Sequence, residues 1–150
     1  MKILTEIIVT SFYIGKLPLA PGSWASAIAT IAWLYFFDDT NSHVLPFYTF
    51  VLLILGTFFS YLSLKHSNDY DPSYIVIDEW VGQWIALSFL PVSASYGLIA
   101  FVLFRFFDIS KFKPVGYIEK LPGAFGVMLD DVVAGILTIL IIFAIRFLLP

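Results

Sequence analysis

The chain has no cysteine, only two histidines and two methionines, and few charges: eight basic and eleven acidic side chains, 13% of the residues. Without cysteine there are no disulfides and no thiolate metal sites, although redox compartment stays open. A formal net charge of −3 argues against a nucleic-acid binder, which carries a basic stripe. What fills the space is apolar. Hydrophobic residues make up 60% of the 150 positions, with sixteen Phe, eight Tyr and four Trp, and mean hydropathy is +0.93. A soluble domain is about half apolar and about a quarter charged, and too few polar residues remain here to cover a soluble helical core. Aromatics in this number suit a lipid-facing surface with an interfacial belt. The composition predicts an all-α integral membrane bundle, one domain over 1–150.

Hydropathy along the chain predicts about four to five membrane-embedded helices plus an N-terminal interfacial helix. Segment 2–14 interleaves Lys2, Glu6 and Thr10 with Ile3, Ile7 and Ile14, which suits an interfacial helix. No cleavage site follows it, so it reads as a retained segment. The breaker-rich loop 15–22 comes next, and Ser23 is placed to cap a helix running to about residue 37. A polar run at 38–43 precedes an uninterrupted apolar stretch, 44–64, long enough for the roughly 30 Å hydrocarbon core. After a polar loop at 65–73, a short helix over 80–90 stops at Pro91. Eleven residues reach only about 17 Å, so that helix must begin below the interface or lie tilted. The chain returns over 93–107, is polar over 108–126, and ends in a last span over 127–149. Lys2, Lys16, Lys65, Arg105, Lys111, Lys113 and Lys120 fall on one side of this topology and Arg146 on the other. The positive-inside rule makes the first side cytoplasmic.

Two doubled acids, Asp78-Glu79 and Asp130-Asp131, stand at the mouths of apolar runs on that side. Adjacent like charges beside hydrocarbon need a compensating cation. Oxygen ligands without His or Cys select Mg²⁺, Mn²⁺ or Ca²⁺ over zinc. Helix capping by the macrodipole is the competing account; it explains one acid per helix better than two pairs. Glu79 and Gln83 share a helix face, whereas Asp130 and Asp131 diverge by about 100°, so one can face a site while the other bridges or supports it. Arg105, Asp108 and Lys111 are spaced i, i+3, i+6. They form either a local ion-pair ladder or a further carboxylate ligand flanked by two phosphate-binding cations. Residues 17–23 (LPLAPGS), with Lys16 beside them, resemble an anion site at a helix start, although taken alone they read more readily as an ordinary Pro/Gly loop with a serine cap. The glycines at 123 and 126 give backbone room before Asp130. His43 and His66 have no ligand partner at useful spacing. Carboxylates, cations and glycine loops on one membrane face are the mixture that metal-assisted phosphoryl chemistry uses.

These stretches also match a known pattern. LPLAPGS over 17–23, DPSYIVIDEWVGQ over 71–83, FRFFDISK over 104–111 and GVMLDDVVAG over 126–135 resemble, in order, the four signature blocks of the phosphatidylglycerophosphatase A family. The resemblance implies a multi-pass, bacterial inner-membrane, Mg²⁺-dependent enzyme of phospholipid biosynthesis with its site facing the cytoplasm. It would hydrolyse the terminal phosphate of phosphatidylglycerophosphate to give phosphatidylglycerol and inorganic phosphate. The family's acidic positions carry over to Asp71, Asp78, Glu79, Asp108, Asp130 and Asp131, its basic ones to Arg105 and Lys111. Three departures are conservative: Phe112 follows Lys111 where proline is usual, Ala124 replaces a glycine, and Ser23 stands where threonine is common. On this reading Asp78, Glu79, Asp130 and Asp131 hold Mg²⁺, joined by Asp71 in one version, and Asp108 completes the set or acts as base. Lys16, Gly22, Ser23, Arg105 and Lys111 bind phosphate. Direct attack by activated water is expected, with an aspartyl-phosphate intermediate as the other route. A cation-coupled small membrane transporter is the alternative function, but it would hold its carboxylates near the bilayer midplane on broken helices.

Overall fold

The computed structural model describes residues 2–65, 67, 69 and 72–148. Among them are seven α-helices, two short 3₁₀ turns and no strand. The helices are α1 (Lys2–Val9), α2 (Pro21–Phe36), α3 (Leu45–Leu64), α4 (Ile77–Leu87), α5 (Ala94–Ser110), α6 (Lys113–Ile118) and α7 (Ala124–Leu148). The 3₁₀ turns span Ile14–Lys16 and Ser42–Val44.

Small residues decide how close the helices come. The buried face of α2 is Gly22, Ala25, Ser26, Ala29, Thr30 and Trp33, a stripe at three- and four-residue spacing that lets a neighbour approach to backbone distance. Its two hydroxyls are satisfied within the helix: Ser26 Oγ donates to Gly22 O at 2.8 Å and Thr30 Oγ1 to Ser26 O at 2.9 Å. Trp84 Nε1 of α4 donates across to Ala29 O at 3.0 Å. The short α4 is the inner post of the bundle, packed by α2, α3, α5 and α7. Its tightest crossing is with α7. A Cβ on Gly82 would stand 2.7 Å from Asp131 O and 2.5 Å from the Phe104 ring, and one on Gly135 would overlap Gly82 O. Gly82→Ala is therefore expected to destabilise the bundle by about 1–3 kcal/mol through overpacking. For a chain of this size the melting temperature in detergent should fall by about 2–4 °C per kcal/mol, and an unchanged melt would refute the crossing as described.

The outside of the bundle is apolar. On α3, Phe47, Phe50, Ile54, Phe58 and Tyr61 are exposed while Thr49, Gly56 and Ser60 are buried. Leu98, Val102 and Phe106 on α5 and Leu140 and Phe147 on α7 are exposed as well. An apolar surface of this extent marks contact with lipid or a partner rather than water. Among the described residues two stretches, Ser42–Leu64 and Ala124–Leu148, are long and apolar enough to cross a membrane.

The helix positions differ from expectation in instructive places. The second helix is not capped by Ser23. It begins at Pro21, with Ala20 in the N-cap position, because proline's fixed φ and missing N–H suit the first helical position. The inner helix begins at Ile77 rather than 80, so Asp78 and Glu79 lie inside its first turn. The polar stretch 108–126 contains α6, six residues with proline near its start, and α7 begins at Ala124.

The bundle has two distinct ends. At one, the Asp39 carboxylate accepts from Val92 N at 2.9 Å, and Arg146 stacks on the Tyr96 ring at 5.5 Å. Tyr96 opens α5, and Asp108 lies in its last turn, about 18 Å further along the axis at 1.5 Å per residue. The doubled acids gather at that second end.

Candidate active site

Three helices bring the acids together. Asp78 and Glu79 come from the first turn of α4, Asp108 from the last turn of α5, and Asp130 and Asp131 from the second turn of α7. Asp131 is 2% exposed, Asp130 4%, Asp78 and Asp108 7% each. Their oxygens form two triads. In each of Asp78–Glu79–Asp131 and Asp108–Asp130–Asp131, one ligand atom per residue lies within 4.8 Å of the others. Asp131 belongs to both. The helix dipole favours Asp78 and Glu79, which meet the positive end of their own helix, but the start of α4 has no side-chain cap hydrogen bond. The dipole does not account for Asp130 and Asp131, which lie beyond the first turn of α7.

Two cations interleave with the acids. Arg105 Nη1 donates to Asp108 Oδ2 at 2.5 Å and stands 3.9 Å from Glu79 Oε1. Lys111 Nζ donates to Asp130 Oδ2 at 2.5 Å and lies 3.4 Å from Asp108 Oδ1. The ladder and ligand accounts of 105–111 thus hold together: Asp108 pairs with both cations and also joins a triad. Lys111 ends α5 in a left-handed conformation, φ 45°, which turns the chain toward Asp130. Asp130 Oδ1 also accepts from the backbone N–H of Asp131 at 2.9 Å.

The charges do not balance. Among the described residues five carboxylates face two cations, and an uncompensated buried carboxylate costs several kcal/mol. The shortfall is local. Asp78 Oδ1, Glu79 Oε2 and Asp131 Oδ2 are buried with no hydrogen-bond partner, and these three residues make up the triad that holds no ammonium. Anionic oxygens of this kind fit a hard divalent cation. Gln83, one turn further along α4 from Glu79, is fully buried with both amide atoms unpartnered; its shared face with Glu79 was visible in the spacing.

The start of α2 meets the same cluster. A Cβ on Gly22 would overlap Glu79 Oε1 and stand 3.2 Å from Arg105 Nη1. The loop expected to receive a phosphate therefore presents its glycine to Glu79, whose charge lies at the positive end of the α2 dipole. The Ser23 and Trp24 amides both donate to Ala20 O, at 2.9 and 3.3 Å. Lys16 is elsewhere. Its ammonium donates to Glu6, a hydrogen bond that raises its pKa above the ordinary lysine value, and it stacks on Tyr13 at 5.1 Å. It lines a separate cavity of about 480 Å³ with Glu6, Ser63 and Tyr74. Asp71 lies outside the described residues, as does His66. Sequence reasoning missed the glycine contacts of α4 and α7, whose signal is the small residue at 82 facing another at 135.

A helical bundle with an apolar outer surface, two helices long and apolar enough to cross a membrane, and buried carboxylates and paired cations at one end defines a membrane-associated protein with the equipment for phosphate chemistry. The profile described as phosphatidylglycerophosphatase A matches residues 7–146, and the chain belongs to that family of phosphatases. It is 35% identical over 144 residues to a protein of Haemophilus influenzae named phosphatidylglycerophosphatase A, covering 95% of this chain and 88% of that one. A protein of Bacteroides thetaiotaomicron named "putative phosphatidylinositol-3-phosphatase" is 36% identical over 152 residues, covering 97% and 96%. The phosphatidylglycerophosphatase A of Escherichia coli K12 is 28% identical over 135 residues, covering 89% and 78%. No solved structure matches the chain.

Proposed function

We propose that this chain is a Mg²⁺-dependent phosphatase that removes the terminal phosphate of phosphatidylglycerophosphate, yielding phosphatidylglycerol for phospholipid biosynthesis. The observation that carries the metal dependence is the convergence of the three unpartnered oxygens of Asp78, Glu79 and Asp131. Those residues hold the ion, with Asp130 and Asp108 beside them. When bound, Mg²⁺ supplies activation of water and neutralises charge on the phosphate.

The remaining work falls to the chain's own groups. Asp108 orients both cations, one on each of its oxygens. Lys111, with a side chain 32% exposed, keeps a donor for a phosphate oxygen after serving Asp130 and Asp108. The buried, unpartnered Nε of Arg105 is a second donor, and charge-assisted bonds of this type fix a phosphate in one orientation. The apolar flanks of α3, α5 and α7 leave the acyl chains in lipid. In this reading α2, α4 and α5 share the membrane with the two long helices, and the carboxylate end is cytoplasmic. That end carries Arg105, Lys111, Lys113 and Lys120, as the positive-inside rule requires. The acids lie at helix ends, at headgroup depth, which disfavours the transporter.

The second reading concerns the headgroup. The Bacteroides relative's name makes phosphatidylinositol 3-phosphate the competing lipid. The test is inorganic phosphate release by the purified chain from each lipid, with Mg²⁺ and with EDTA. We expect release from phosphatidylglycerophosphate that EDTA abolishes. Release indifferent to EDTA would remove the metal from the mechanism, and faster turnover of the inositol lipid would replace the substrate.

A further inference from the structure

The two triads share Asp131 but are not alike. The Asp78–Glu79–Asp131 triad has three unpartnered oxygens, two of them on residues more than nine-tenths buried. The Asp108–Asp130–Asp131 triad already holds a cation, because the Lys111 ammonium sits 2.5 Å from Asp130 Oδ2 and 3.4 Å from Asp108 Oδ1. Paired metal sites that share a carboxylate clamp a phosphate from two sides with ions about 3.5–4 Å apart. Here one of the two positions is filled by the protein.

Resting on the metal dependence proposed above, we propose that the site takes a single divalent ion, in the Asp78–Glu79–Asp131 triad, and that Lys111 is a built-in second cation in the Asp108–Asp130–Asp131 triad. Geometry supports the substitution. The backbone of Lys111 is in the left-handed region, which points the side chain from the end of α5 across to α7. Glu119, 3.7 Å from Lys111 Nζ, steadies it from the α6 side. An ammonium has three donors and no acceptor; Asp130 and Asp108 accept two, and Glu119 at 3.7 Å attracts the charge without reaching hydrogen-bond distance, so the third donor can turn to a phosphate oxygen. A metal ion would do the same with its open coordination positions. The difference is that the ammonium cannot be removed by a chelator.

The experiment is a Mn²⁺ titration of the full chain in detergent at neutral pH, followed by electron paramagnetic resonance and calorimetry. Wild type is expected to bind one ion per chain. Lys111→Met and Lys111→Gly, both lacking the ammonium, are expected to bind two, with the altered spectrum of ions sharing a carboxylate. Glycine suits the left-handed backbone there, so the second variant guards against misfolding of the first. Lys111→Arg should return the count to one. Two ions in wild type, or one in both ammonium-free variants, overturns the proposal while leaving the metal-dependent reading intact. No bound Mn²⁺ in wild type overturns that reading and this proposal together.

Discussion

Asp131→Asn is expected to lower kcat/KM for phosphatidylglycerophosphate about a thousandfold, a loss of about 4 kcal/mol of transition-state stabilisation. The substitution keeps the shape of the side chain and removes one charge. Asp131 alone belongs to both triads, so the change weakens each of them. The same variant has a second, opposite signature. Without divalent metal the described residues of the wild type set five buried or half-buried carboxylates against Arg105 and Lys111, and replacing one buried charge by a neutral group relieves repulsion and desolvation. In EDTA the variant should therefore melt higher than wild type. In saturating Mg²⁺ the order reverses, since an ion present at a hundred times its Kd adds about 2.7 kcal/mol to a protein that binds it and the variant is expected to bind poorly. Thermal melts with and without Mg²⁺, beside the phosphate-release assay, read all three effects. Activity within tenfold of wild type, or an equal Mg²⁺ response in both proteins, contradicts the assignment of Asp131 as a metal ligand.

Gly22→Ala should cost at least a hundredfold in turnover with no loss of helix. Its Cβ would occupy the position of Glu79 Oε1 and crowd Arg105 Nη1. Glu79 must swing away, and displacements of about 1 Å at a reacting centre carry penalties of that size. A helix that exchanges glycine for alanine gains up to about 1 kcal/mol of propensity, so the fold has no reason to fail. Circular dichroism and the Mn²⁺ titration separate the outcomes. A weakened ion with intact helicity is expected; full activity would show that Glu79 does not depend on the bare backbone of α2.

The parts legible in the sequence were those that a run of like residues announces. The apolar stretches at 44–64 and 127–149 appear as α3 and α7, because nothing in either competes with helix in an apolar setting. The cluster was legible for the complementary reason: a doubled acid next to hydrocarbon has few stable solutions, and Asp108 between Arg105 and Lys111 repeats the signal. What escaped depends on distances between helices. The role of Gly22 is set by Glu79, some sixty residues away, and a Pro-Gly-Ser step looks the same whether it faces a phosphate or a carboxylate. Lys16 stood beside that loop in sequence, but its partner is Glu6, one helix back. The six-residue α6 carries too little periodicity to separate from its polar surroundings. The Gly82–Gly135 crossing holds Asp131 against the α4 acids, and it has no local signature beyond two small residues.

The outer face of α3 has a consequence for how this sequence can drift. Phe47, Phe50, Ile54, Phe58 and Tyr61 are exposed, and an apolar environment accommodates Leu, Ile or Phe with almost equal ease. Exchanges among apolar residues there should accumulate freely. On the opposite face of the same helix, Thr49, Gly56 and Ser60 are buried, and a Cβ on Gly56 would come within 2.8 Å of Met128. Change there is limited by volume, not by hydrophobicity. One helix therefore carries two constraints, a permissive one on its outer face and a restrictive one toward the acids it helps to hold.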